Sequence, residues 1–180
     1  MEDLIIKKGM FPSRVRRFCT QELKVKPIMA YLAKLMEAGT DVINAVGIRA
    51  EESSSRAGMP EWEWQDGFDC EVWRPLTRWT EQDVIEIHHR HGLRPNPLYL
   101  LGATRVGCWP CIFARKAEIR LIADKDPDRI VRLRVLEERV GVAARARAAA
   151  KDQTLVSDPA WFQAPLGDSG AGWPIDKVVQ

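Results

Sequence analysis

Behind the basic segment FPSRVRRFCTQELK, the apolar residues Ile28, Tyr31, Leu32, Leu35 and Met36 recur at 3–4 spacing. That period predicts a helix, with Gly39 as its stop. DVINAVGI follows, a short β-branched run suited to a strand buried on both faces. The next stretch, RAEESSSRAGMPEW, is polar and reads as a loop. CEVWRPL is a second strand candidate that Pro75 either ends or holds near a sheet edge. Thr80 then heads TEQDVIEIHHRHG, a helix with Asp83 placed to return the capping contact and Gly92 at its end.

RPNPLYLLGATRVGCWPC carries Pro95, Pro97, Gly102 and Gly107, and is expected as an ordered loop. From Ile112 to about Lys151 the chain reads as two helices, broken near DKDPD with Pro127 in a first turn. The rest, DQTLVSDPAWFQAPLGDSGAGWPIDKVVQ, is a Pro/Gly-rich tail, draped or loose. There is no internal repeat. The order of elements is α/β, yet only two strands are evident, too few for a self-sufficient parallel sheet.

At 180 residues, with 46% hydrophobic and 29% charged side chains, the chain is the size of one domain, or one domain and a tail. A net charge of +2 is too mild to argue for nucleic acid. Lys7, Lys8, Arg14, Arg16, Arg17, Lys24 and Lys26 nevertheless crowd the first segment, which suits a local anionic partner. No apolar run approaches the roughly 20 residues of a membrane span. MEDLIIKKGMF does not read as an export signal, so a cytoplasmic location is expected. In that reducing compartment cysteines read as metal ligands or reactive thiols before disulfides.

Four features could carry chemistry. The strand DVINAVGI delivers Arg49, Glu51, Glu52, Ser53, Ser54, Ser55 and Arg56 to the position beyond a strand's carboxyl end, where open α/β sheets bind ligands. Arginines flanking hydroxyls can hold phosphate or sulfate; the alternative is a solvated loop. Arg16, Arg17 and Lys24 surround Cys19, where cations would lower a thiol's pKa. Cys108 and Cys111 form a C-x-x-C whose spacing fits a redox pair, half of a metal clip, or chance. His88, His89 and His91 are better read as solvated or capping groups, because successive helical residues diverge by about 100°. The tryptophans read as packing residues rather than base-stacking ones.

In order, FPSRVRRFCTQELK, VGIRAEESSSR, WRPLTRWTEQDV and NPLYLLGATRVGCWPCIFARKAEI resemble the phosphoadenosine phosphosulfate (PAPS) reductase family of the adenine-nucleotide α-hydrolase (PP-loop) superfamily. The resemblance covers roughly residues 4 to 122 and is closest to the branch found in phages and DNA-phosphorothioation systems. It implies a doubly wound α/β sheet, an adenine nucleotide ligand (a sulfonucleotide or ATP) and a 4Fe-4S cluster, with zinc as a substitute. Cys19, Cys108 and Cys111 match the cluster ligands, with Cys70 a further candidate. Arg17 and Lys24 match basic residues near the sulfonucleotide, and Arg49, Glu52, Ser53 and Arg56 match the loop facing it.

Three departures from the family pattern shape the expectation. The SGGKDS-type loop that cradles phosphate is missing, so the chain is expected to correspond to the C-terminal half of a PP-loop domain. Phe18–Cys19 stands where adenylyl-sulfate reductases have tandem cysteines. No cysteine follows Cys111, so the thiol nucleophile of the sulfonucleotide reductases is missing from this stretch. The expected organisation is an incomplete doubly wound parallel sheet over 1–122, a helical extension over 123–151 and an irregular tail over 152–180. Activity, with sulfur transfer favoured over sulfonucleotide reduction, would then require a partner carrying the missing N-terminal half, or self-association. The competing expectation is a non-catalytic, metal-stabilised module that binds another protein or modified nucleic acid, or an inactive fragment.

Overall fold

The two apolar runs do become strands, and they pair with each other in parallel. In a computed structural model, β1 (Ile43–Ala45) lies beside β3 (Cys70–Trp73), with Ile43 opposite Glu71 and Ala45 opposite Trp73. The structure describes residues 1–13, 15–103, 106–108, 110–154, 158–162 and 172–180. These form two compact units, Met1–Cys19 with Asn96–Gln180, and Thr20–Pro95.

The unit Thr20–Pro95 holds a three-stranded mixed sheet in the order β1-β3-β2. Its third strand, β2 (Trp62–Gln65), lies in a stretch expected as loop and pairs antiparallel with β3, Trp62 opposite Trp73 and Gln65 opposite Cys70. The connecting turn closes with Asp69 at a φ of 53°, a left-handed conformation that Asp tolerates better than most residues. Central β3 buries Cys70 and Val72. Strand β1 departs from expectation: its Ile43 is 53% exposed rather than buried on both faces, because no second neighbour flanks it.

Ahead of the sheet, α1 (Glu2–Lys8) belongs to the other unit, and α2 (Phe18–Thr20) leads to a π-helical turn over Gln21–Val25. Then comes α3 (Lys26–Glu37), where the 3–4 pattern predicts it. Gly39 follows at a φ of 79°, a conformation open to glycine and costly for β-branched residues. The short α4 (Ser54–Ala57) lies between β1 and β2. Helix α5 (Glu81–Arg90) starts at the expected box. The Thr80 hydroxyl accepts the Asp83 N–H at 3.2 Å, and the Asp83 carboxylate accepts the Thr80 N–H at 2.7 Å.

The other unit is helical. Its elements are α1, α6 (Pro97–Leu100), α7 (Lys116–Lys125), α8 (Pro127–Ala149) and α9 (Ile175–Val179). Pro127 opens α8 at its first turn, as the break in DKDPD predicts. The long helix turns Ile130, Leu133, Leu136, Val140 and Ala144 inward at 3–4 spacing, against α1, α7 and α9. Ile5, Ile119, Ile122, Trp161, Ile175 and Val178 complete this core.

The described tail segments 158–162 and 172–180 are draped on this core and are structural. Trp173 N–H donates to the Phe162 carbonyl at 2.8 Å, and the half-buried Glu137 carboxylate accepts N–H groups from Trp161 at 2.8 Å and Ile175 at 3.0 Å. Arg134 grips Asp176 with two nitrogens, at 2.9 and 2.5 Å. At the other end of α8, the Arg147 guanidinium donates to the Lys7 and Lys8 carbonyls, satisfying the C-terminus of α1.

Candidate functional site

Parallel pairing of β1 with β3 brings the carboxyl ends of both strands to the same edge of the sheet. From there β1 runs into the segment Arg49–Arg56, and β3 into Arg74–Thr77. A hydrogen bond from the Ala50 N–H to the Thr77 carbonyl, at 2.9 Å, ties the two segments together. The backbone then makes a 3₁₀ turn over Ala50–Glu52 and the single turn of α4. Ser53 and Ser55 hydroxyls lie 3.1 Å apart. Arg49 pairs with Glu51 at 2.5 Å and approaches Glu52 at 3.7 Å; Arg56 pairs with Glu52. The loop expected to face an anion is thus one connected set of cations, carboxylates and hydroxyls, and its two arginines are held by carboxylates.

Arg74 escapes the sequence reading. It is 2% exposed, donates to the Pro60 carbonyl at 2.9 Å and pairs with Glu63 on β2. Its own N–H donates to the Glu61 carbonyl at 2.8 Å, and its carbonyl accepts the Thr77 hydroxyl at 2.7 Å. Arg74 therefore braces the return of the loop while Thr77 braces its start. The signal for this lies in WRPL, a charged residue directly after a buried strand, where a guanidinium must find partners to be tolerated.

The basic and thiol residues of the RRFCT segment fall in the helical unit, apart from Lys24, which is exposed on the π turn of the sheet unit. The Arg17 guanidinium lies over the Phe113 ring at 4.7 Å, a cation–π contact. This contact joins the segment of Cys19 to that of Cys111, each two residues away. Cys19 and Cys111 are half-buried and Cys108 is exposed. The Phe113 N–H points to the Cys111 sulfur at 3.5 Å. Cys108, Cys111, Pro110 and Ala114 line a small cavity with Ile122 and the buried Glu118, whose carboxylate accepts the Arg115 N–H at 2.7 Å. Thr104, Arg105 and Trp109, which flank this motif, lie outside the described residues.

Three thiols in one unit are a donor set with the softness that iron or zinc prefers. Among the described residues, however, no three His, Cys, Asp or Glu side chains are gathered to hold a metal ion. Cys70 is buried in β3 of the other unit. Of the histidines, His88 places its Nδ1 2.7 Å from the Val84 carbonyl, one turn back along α5.

A mixed α/β sheet with a polar loop at the carboxyl ends of its parallel strands, followed by a helical region, is consistent with part of a PP-loop domain. The match to known families agrees. The model of the phosphoadenosine phosphosulfate reductase domain matches residues 5–114, and the chain belongs to that family. It is 42% identical over 147 residues to an uncharacterized 37.8 kDa protein from the gpa 5′ region of Escherichia phage 186, covering 79% of this chain and 44% of that protein. It is 33% identical over 96 residues to adenosine 5′-phosphosulfate reductase of Allochromatium vinosum, covering 53% of this chain and 35% of the enzyme. The corresponding enzyme of Streptomyces coelicolor is 33% identical over 93 residues, covering 52% of this chain and 37% of its own length. The chain thus spans less than half the length of these relatives. None of its described helices is long and apolar enough to cross a membrane.

Proposed function

We propose that the chain contributes half of an adenine-nucleotide site, binding a sulfonucleotide or ATP for sulfur transfer or sulfonucleotide reduction, with the phosphate-binding loop supplied by another segment. The observation that carries this reading is the Arg49–Arg56 loop, pinned across the carboxyl ends of two parallel strands, where such sheets bind ligands. Arg49 and Arg56 are the anion ligands. Each is now paired with a partly exposed carboxylate, and exposed ion pairs are worth about 0–1 kcal/mol. A phosphosulfate or triphosphate carries more charge and more acceptor oxygens than one carboxylate, so it displaces Glu51 and Glu52 at small cost. Ser53 offers a hydroxyl, and Lys24 of the same unit adds positive charge.

Titration calorimetry with adenosine 5′-phosphosulfate and ATP tests this, on the chain alone and with its completing segment. Arg56→Ala is expected to weaken binding roughly tenfold or more, the usual effect of removing a charged hydrogen-bond donor. No binding of either nucleotide in either state would sink the proposal.

The iron–sulfur cluster is a second part of the proposal and rests on donor chemistry. Cys19, Cys108 and Cys111 would hold it, and it would supply a redox centre. Holding it requires the three thiols to close together from their present arrangement. Anaerobic purification with iron and sulfide analysis is the measurement; protein free of both removes the cluster, and zinc in their place makes the site structural.

A second reading, a non-catalytic interaction module, is favoured by the arginines already being paired and the thiols not being gathered. It predicts partner binding with no nucleotide dependence.

A further inference from the structure

The tryptophans expected as packing residues do not all pack. On β2, Trp62 is 46% and Trp64 59% exposed. Two residues apart on one strand, they share a face of the sheet. The antiparallel register puts Trp73 opposite Trp62 and Glu71 opposite Trp64 on that same face, while Cys70 and Val72 turn to the buried one. Trp62 stacks on Trp73 with ring centroids 5.3 Å apart and planes 15° from parallel, so these two rings brace each other. A cluster of exposed aromatic side chains marks an interaction surface, whereas a single exposed apolar residue does not.

The charge around these rings selects what they bind. The hairpin EWEWQDGFDCEVW, residues 61–73, carries five carboxylates and no lysine or arginine, in a chain whose net charge is +2. Glu63 lies on the other face and pairs with Arg74. Glu61 accepts the Trp73 indole N–H at 3.4 Å. Among the described residues, Glu61, Asp66, Asp69 and Glu71 have no ion-pair partner. A guanidinium satisfies both halves of this chemistry. Its flat face stacks on an indole, and its edge donates paired hydrogen bonds to a carboxylate. Nucleic acid would suit the rings but not the charge, because its phosphates would meet carboxylates.

We propose that the face carrying Trp62, Trp64 and Trp73 is a docking surface for an arginine-rich segment of a partner protein. Its guanidinium groups stack on Trp62 and Trp64 and are held by Glu71 and the carboxylates of the hairpin turn. Trp64 and Glu71 form the anchor pair. Directly opposed residues place their Cβ atoms about 4.5–5.5 Å apart, so one guanidinium reaches both the ring and the carboxylate. The inference goes beyond the nucleotide reading and does not rest on it, because it uses none of the residues assigned to the anion.

The test uses the full chain and a labelled nona-arginine peptide, read by fluorescence anisotropy, with nona-lysine and oligothymidylate as comparisons. Saturable binding of nona-arginine is expected, tighter than that of nona-lysine, whose ammonium groups lack the flat stacking face. Trp64→Leu should weaken it roughly fivefold through loss of the cation–π contact. Glu71→Gln should weaken it roughly threefold through loss of an exposed ion pair. Both side chains are exposed, so the thermal unfolding midpoint should stay unchanged. Should Trp64→Leu lower that midpoint, Glu71→Gln decides alone. Glu37→Gln removes the same charge from α3 and should leave binding as it is. Equal affinity for nona-lysine, or wild-type affinity in Glu71→Gln, would overturn the proposal. So would tighter binding of oligothymidylate, which gives the surface to nucleic acid, or a self-associated chain that Trp64→Leu dissolves, which gives it to a second copy.

Discussion

Glu137 shows how one side chain fastens the tail and makes its stability depend on pH. Burial raises its carboxyl above the ordinary value of 4.5, against the opposing pull of the Ile175 and Trp161 N–H groups; nearby Asp176 raises it and Arg134 lowers it. A folded-state pKa above the unfolded value means the native protein holds the proton longer. The contribution of Glu137 is therefore complete below its unfolded pKa and declines as pH rises through its folded one. Asp176 works in the other direction. Its hydrogen bonds with Arg134 lower its pKa below 3.8, so that contribution is present above the unfolded value and is lost as pH falls. Urea unfolding between roughly pH 3 and pH 7 separates the two. The stability advantage of wild type over Glu137→Gln should shrink as pH climbs above the mid-4 range. The advantage over Asp176→Asn should vanish at the acid end. A Glu137→Gln difference independent of pH would contradict the burial argument.

At the scale of elements, the box that opens α5 makes a sharp prediction because both its partners lie within one turn of chain. Thr80→Ala removes the acceptor for the Asp83 N–H, which costs about 1 kcal/mol for a typical cap. The loss should appear as faster amide exchange in the first turn of α5. Helix α3 is equally legible in the sequence, from its period and from Gly39. Strand β2 is not, because RAEESSSRAGMPEW is dominated by Ser and Glu and its tryptophan reads as a packing anchor. The alternation of Trp62 and Trp64, followed by Asp66-Gly67, is a hairpin signal that finds it. Helix α1 escapes for a different reason: its seven residues are too few for a periodicity, and only burial of Ile5 against α8 makes them a helix.

For the whole molecule, the contrast between the two units sets the order in which it opens. The helical unit buries fourteen apolar side chains among its described residues, Ile5, Ile119, Ile122, Val140, Ile175 and Val178 among them, and the sheet unit three. Limited proteolysis of the chain alone should therefore cut within Thr20–Pro95 first, and hydrogen exchange should be fastest there. Ile122→Ala should destabilise the helical unit by about 2–5 kcal/mol through its cavity. Equal protease resistance of the two units would argue that the sheet unit is self-sufficient. The interleaving of the units, with Met1–Cys19 joining Asn96–Gln180, is invisible to composition because no linker marks it.

The sequence alone determined what depends on neighbours along the chain: the helix periods, the caps at Thr80 and Pro127, the glycine stop at Gly39, the two parallel strands and the family motifs. Each of these is a local rule, carried by residues within a few positions of one another. Tertiary structure decided what depends on residues far apart. It put the tail into the core through Glu137 and Arg134, and buried Arg74 behind the loop. It paired Arg49 and Arg56 with carboxylates, and left β1 at an open edge. It also qualified the thiols: Cys19 and Cys111 are brought onto touching segments by Arg17 and Phe113, yet among the described residues the three sulfurs are not gathered around one point. Chain spacing can nominate ligands, but only the packing of distant segments can bring them within bonding distance of one ion.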